Sequence, residues 1–210
     1  MGGLVALEGP DGSGKSTQLR LLREVLEGRQ LDVVWTREPG GTVIGEQIRT
    51  VLHDLANDAM LPITEALLYS AARAQHVAEV IRPALARGAL VITDRYAAST
   101  LAYQGYGHGL DIDMLRQITV LVTGGVIPDL TIYLDLPAER GLERKLVDRS
   151  AGQGEWNRMD QQALVFHRAV RAGYLEMAQA ETERWLVLDA DDTMQAIHQQ
   201  IMARIEPLLT

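Results

Sequence analysis

The run Gly9, Pro10, Asp11, Gly12, Ser13, Gly14, Lys15, Ser16 and Thr17 carries the most specific chemistry in the chain. It fits G-x-x-x-x-G-K-[ST], the spacing of a phosphate-cradling P-loop. Glycines let successive backbone N–H groups converge on phosphate oxygens, and a helix starting near Lys15 adds the partial positive charge of its N-terminus. Lys15, expected to face solvent, can then reach the outer phosphates, and the Ser16 hydroxyl can ligate Mg2+. A tight strand-to-helix turn would explain one or two of the glycines but neither the lysine nor the hydroxyl pair. The loop is therefore read as the binding site of a nucleoside triphosphate.

Other charged residues fall where strands should end, and ligands of open α/β sheets sit beyond those ends. Asp94-Arg95-Tyr96 follows the apolar Leu90-Val91-Ile92-Thr93 and has the form of a Walker B ending. Asp94 there suits Mg2+, with Ser16 and the strand-terminal Glu8 as the remaining metal ligands. Arg95 has the planar fork to clamp a second phosphate, although a plain salt bridge at a strand end also fits the pair. Asp11 is a carboxylate inside a phosphate loop, which is electrostatically adverse unless metal, arginine or a substrate hydroxyl compensates it; turn capping is its other reading. Tyr69 and Arg73, four residues apart, share a helix face and could stack on a base while bonding its edge. Core packing beside a solvated arginine is the alternative for that pair.

The elements that must hold these residues alternate. Strands are predicted at Leu4–Glu8, Val33–Thr36, Leu90–Thr93, Leu130–Leu134 and Trp185–Leu188, each apolar on both faces, as in a parallel sheet covered on both sides. Helical patterns fill the gaps: Lys15–Glu27, Val43–His53, Thr64–Arg87 with a kink at Pro83, Ala97–Gln104, Asp113–Thr123, Pro137–Arg149, Asp160–Glu181 and Thr193–Pro207. This is an α/β pattern, a doubly wound sheet in three layers. Residues 1–210 read as one domain, and the glycine-rich Ser150–Asn157 reads as a mobile loop within a lid that carries Arg144, Lys145, Arg149 and Arg158. The net charge of −8 excludes the basic surface of a nucleic-acid binder. The absence of cysteine rules out disulfides and thiolate metal sites and fits a reducing cytoplasm. No apolar run approaches the ~20 residues of a membrane span, and no signal pattern opens the sequence.

GPDGSGKST, TREPGGT, a DRY after the third strand and STLAYQG on the next helix together resemble the thymidylate kinase family, from Leu4 to about Asp189. The resemblance implies a P-loop NTPase-type fold with a five-stranded parallel sheet and a short lid over about 144–160. It implies transfer of a phosphoryl group from ATP to dTMP with Mg2+, giving dTDP for dTTP synthesis, in a cytoplasmic homodimer. By motif, Lys15, Ser16 and Thr17 would cradle ATP, and Asp11 would lie near the acceptor phosphate. Glu38, Pro39, Arg49 and Arg95 would surround the acceptor's phosphate and sugar. Tyr69 would stack on thymine, Arg73 would bond its edge, Ser99, Thr100 and Gln104 would add base contacts, and Tyr103 would press on the sugar. Some members carry an arginine in the loop where this chain has Gly12. Charge building on the transferring group must then be met from the lid, with Arg149 and Arg158 as the catalytic candidates. Near the second, this chain reads Asn157-Arg158-Met159-Asp160 where the family often has D-R-[IF]-E. A kinase of deoxynucleosides or of another monophosphate, and a nucleotide-binding switch that transfers nothing, are the other readings.

Overall fold

Strands that are apolar on both faces need a helical layer on each side, and the computed structural model provides one. It describes residues 2–150 and 157–209, and only the backbone of residues 148 and 149. Among these, β1 (Gly3–Glu8), β2 (Val33–Arg37), β3 (Leu90–Asp94), β4 (Leu130–Asp135) and β5 (Trp185–Asp189) form one parallel sheet in the order β2-β3-β1-β4-β5. The helices are α1 (Lys15–Glu27), α2 (Val43–His53), α3 (Pro62–His76), α4 (Arg82–Ala86), α5 (Ala97–Thr100), α6 (Ile112–Thr123), α7 (Ala138–Ser150), α8 (Leu164–Ala180) and α9 (Met194–Ile205).

The two-residue period of β1 divides the core. Val5 and Leu7 join Leu22 and Leu26 of α1 and Ile197 and Ile201 of α9 on one face. Leu4 and Ala6 join Val77, Ile81 and Ala84 on the other. Tyr133 of β4 meets Phe166, Val170 and Tyr174 of α8 on that second face. This is the expected three-layer P-loop NTPase arrangement, with each strand running to within a residue of its predicted limits. β1 and β3 end side by side at Leu7 and Asp94, so Glu8, the P-loop and Asp94-Arg95 share one end of the sheet.

Three predicted helices need correction. The expected Thr64–Arg87 helix is interrupted by a π-helical run, Val77–Ile81, before α4. Pro83 lacks an N–H and tolerates only a first turn, and the wider π-turn resets the ladder so that it occupies one. The helix after β3 continues beyond α5 as a π-helical run over Leu101–Gly107. The expected Asp160–Glu181 helix splits into a 3-10 turn, Arg158–Gln161, and α8. Asn157 and Asp160 close that turn as a reciprocal capping box, which makes it a separate unit.

Candidate functional site

The P-loop turns sharply out of β1. Gly9 has φ 147°, and a Cβ there would fall 2.7 Å from Ser13 Oγ and 2.8 Å from the Leu134 carbonyl oxygen, so only glycine fits. Lys15 does not face solvent as expected. Its side chain is 7% exposed and folds back over the loop, donating from Nζ to the carbonyls of Gly9 (2.9 Å) and Pro10 (3.0 Å). A buried ammonium needs acceptors, and the loop's carbonyls are within its reach. Burial and Arg95 push the Lys15 pKa down, against the pull of Asp94, Asp11 and Glu8. Gly12 has φ 78°, and an added Cβ would meet Arg144 Cβ at 3.0 Å and the Gly141 carbonyl oxygen at 3.2 Å. An arginine there would therefore need a strained backbone and a shift of α7 by a few tenths of an ångström.

Asp11 is surrounded by cations. Arg95 Nη2 donates to its Oδ1 at 2.7 Å, Lys145 Nζ donates to its Oδ2 at 2.8 Å, and Lys15 Nζ lies 3.7 Å away. Burial works to raise its pKa, but Arg95, Lys15 and Lys145 overcome that and hold the carboxyl well below the usual range. Arg95 takes φ 68°, its N–H donating to the Leu7 carbonyl at 2.8 Å and its guanidinium lying 5.3 Å from the Tyr103 ring centre. A non-glycine residue held there costs roughly 1–2 kcal/mol, strain of a kind that clusters at functional sites. Lys145 was not singled out by the motifs. A cation one turn after Gly141, the residue whose carbonyl crowds Gly12, was the available signal, but nothing in α7's sequence says which face meets the loop.

Glu8 must be dropped from the metal set. Its Oε1 accepts from the Tyr96 N–H (2.9 Å), and its Oε2 accepts from the hydroxyls of Ser99 (2.6 Å) and Tyr174 (2.8 Å). It is fully buried, which pushes its pKa up against Arg95 and these donors. Ser99, expected at the base, instead joins Glu8 to Arg95, whose Nη1 donates to Ser99 Oγ at 3.3 Å. Asp94 and Ser16 fit Mg2+ better: both line the cleft, and buried Asp94 Oδ1 has no hydrogen-bond partner among the described residues. Mg2+ is commonly held by one or two protein oxygens plus substrate phosphates, so such a sparse donor set suffices.

Beyond Asp11 the same cleft, of about 850 Å³, runs on between Glu38, Pro39 and Arg49 on one side and Tyr69, Thr100, Tyr103 and Gln104 on the other. Arg49 Nη1 donates to the Pro39 carbonyl at 3.1 Å. Buried Thr100 Oγ1 has no partner among the described residues, and burial pushes the Tyr103 hydroxyl up to about 12. Arg73 stands behind this wall. Its Nε donates to Glu38 Oε2 (2.7 Å) and its Nη2 to the Tyr96 carbonyl (3.2 Å), while buried Nη1 has no partner among the described residues. His76 Nδ1 lies 3.1 Å from the other Glu38 oxygen. Glu38 is thus held from behind by α3.

Arg158 lies away from the phosphate loop. Nη1 and Nη2 donate to Glu65 Oε2 at 2.9 and 3.0 Å, and Nη1 also reaches the Leu52 carbonyl at 3.2 Å. A buried carboxylate on α3 binds the planar fork on two prongs, and this satisfies the arginine away from the loop. Arg149, the other candidate, has a side chain outside the described residues. Arg158→Ala is expected to destabilise the fold by about 3 kcal/mol, because it strands the Glu65 charge in the interior with fewer donors. Urea midpoints measure this. Unchanged stability with lost turnover would return Arg158 to catalysis.

The thymidylate kinase family model matches residues 7–201. Thymidylate kinase of Roseiflexus sp. (strain RS-1) is 53% identical, covering 98% of this chain and 94% of that protein. Thymidylate kinase of Herpetosiphon aurantiacus is 45% identical over 98% of this chain and 96% of its own length. The crystal structure of thymidylate kinase from Ehrlichia chaffeensis superposes with a TM-score of 0.78 at 30% identity, covering 98% of both chains.

Proposed function

Because the chain belongs to the thymidylate kinase family, we propose that it phosphorylates dTMP to dTDP with ATP and Mg2+, using the residues gathered in this cleft. One observation carries the assignment of sites. A single cleft joins a phosphate loop to a slot lined by Tyr69, Thr100 and Gln104, and three cations converge on Asp11 at the junction. Two phosphate groups that must meet there repel each other, and that cluster offsets the repulsion. The loop from Gly9 to Thr17 holds the ATP phosphates, Lys15 swinging from its carbonyls to them. Arg95 and Arg49 hold the acceptor phosphate, and Tyr103 closes on the sugar. Ser16 and Asp94 would hold Mg2+, which when bound neutralises charge on the donor phosphates. Little covalent help is needed, so alignment and charge stabilisation account for the rate.

Tyr69 stacks on the thymine, and Arg73 Nη1 is the donor left for its 4-carbonyl. A guanidinium only donates, so the 4-amino group of cytosine meets donor with donor, at a cost of about 1–3 kcal/mol. Arg73→Leu should therefore shrink the ratio of kcat/KM for dTMP over the cytidine analogue by about tenfold or more. Taking a ratio cancels the loss common to both acceptors when Glu38 is left unpaired. An unchanged ratio would remove Arg73 from base recognition.

The broader test offers ATP with thymidine, dTMP, UMP or CMP and follows ADP. Turnover that needs dTMP supports the reading. Turnover with thymidine instead, or ADP release without any acceptor, would replace it with a nucleoside kinase or a hydrolysing switch. The reading also takes residues 1–210 as one domain with a lid over about 144–160, of which 151–156 lie outside the described residues. It further includes a cytoplasmic setting, consistent with the lack of cysteine and with no described helix being long and apolar enough to cross a membrane. Association of two copies is supported by exposed Val51, Leu67, Val120 and Leu121 on α2, α3 and α6; sedimentation velocity tests it.

A further inference from the structure

Glu65 is a buried carboxylate of α3 that no substrate-binding motif includes. Its Oε2 takes both prongs of Arg158, and its Oε1 accepts from Gln104 Nε2 at 2.8 Å, with His108 Nε2 at 3.4 Å. Gln104 lies on the π-helical run after α5 and lines the cleft beside Tyr69 and Thr100. The two ends of an amide are hard to tell apart by shape, but a carboxylate oxygen only accepts. The end of Gln104 turned toward Glu65 must therefore be its NH2 group, and the amide oxygen is the end left for the cleft. Burial works against the charge of Glu65, but His108, Gln104 and Arg158 overcome it and keep its pKa low, so the constraint persists at neutral pH.

We infer that Glu65 is a positioning residue for acceptor specificity: by taking the Gln104 amide nitrogen, it presents an acceptor oxygen to N3 of the incoming base. This rests on the reading above that Gln104 meets the base. Thymine carries a hydrogen on N3 and donates it to that oxygen. Cytosine carries a lone pair there, and two acceptors would face each other. Without Glu65 the amide is free to turn over and offer its NH2 group to cytosine.

The test compares kcat/KM for dTMP with that for 5-methyl-dCMP, a substrate of the same shape with the other base edge. Wild type, Q104L, E65Q and the double variant are measured. Q104L and E65Q should each shrink the ratio by about tenfold, with the KM for ATP within about twofold of wild type. The double variant should shrink it no further than Q104L alone, since one residue acts through the other. If Q104L collapses the ratio and E65Q leaves it intact, or if the two effects multiply, the inference is overturned while the base contact stands. If Q104L itself leaves the ratio unchanged, the base contact fails and this inference with it. A second measurement does not depend on E65Q folding. In wild-type protein labelled with 15N-glutamine, with Q104L identifying the signal, the Gln104 side-chain N–H protons should be protected from exchange before and after dTMP is added. Exchange at the solvent rate overturns the assignment.

Discussion

Lys15→Ala is expected to lower kcat by about a thousandfold while the protein stays folded, a loss of roughly 4 kcal/mol of transition-state stabilisation. Charge builds on the oxygens of the transferring phosphoryl group, and a preorganised ammonium in a water-poor cleft stabilises it far more than water does. Lys15 is already held in the loop, bonded to the Gly9 and Pro10 carbonyls with Asp11 Oδ1 3.7 Å away. Its move to a phosphate exchanges neutral acceptors for a charged one. The substitution also removes one buried and one part-buried hydrogen bond, so stability should fall by about 1–3 kcal/mol, and turnover has to be read well below the shifted melting temperature. ADP release with saturating dTMP, checked against circular dichroism, measures it. A folded variant within tenfold of wild type would remove the loop from catalysis.

Arg95→Ala should raise the KM for dTMP and lower kcat together, with kcat/KM falling by about a hundredfold or more, because a charge-paired fork both binds a phosphate and aligns it. The KM for ATP should move far less. A companion variant separates chemistry from strain. Position 95 has φ 68°, where glycine is unstrained and alanine is not. Arg95→Gly should therefore be as inactive as Arg95→Ala yet more stable by about 1 kcal/mol, seen as a higher urea midpoint. If only the KM for ATP changed in both, Arg95 would serve the other nucleotide.

Parts whose physics is local were legible in the residues alone. A strand, a glycine-rich turn and a helix beginning at Lys15 are written in adjacent residues, and alternation of doubly apolar runs with helical periods leaves few arrangements besides a covered parallel sheet. Two motifs also contained Glu38 and Gln104, and the four-residue spacing from Tyr69 to Arg73 put that ring on the same helix face; Glu38, Tyr69 and Gln104 all line the one cleft. Roles that depend on partners distant in the chain emerge only once it is folded. Whether Glu8 holds a metal turns on Ser99 and Tyr174, the latter 166 residues away, and their hydroxyls occupy it. Whether Arg158 reaches a phosphate turns on Glu65, 93 residues earlier, whose buried charge binds it first. Lys145 is one of several lid cations until α7 packs on Gly12 and brings it to Asp11, 134 residues back. A charged side chain goes to the best counter-charge within its reach, and only the folded chain defines that reach.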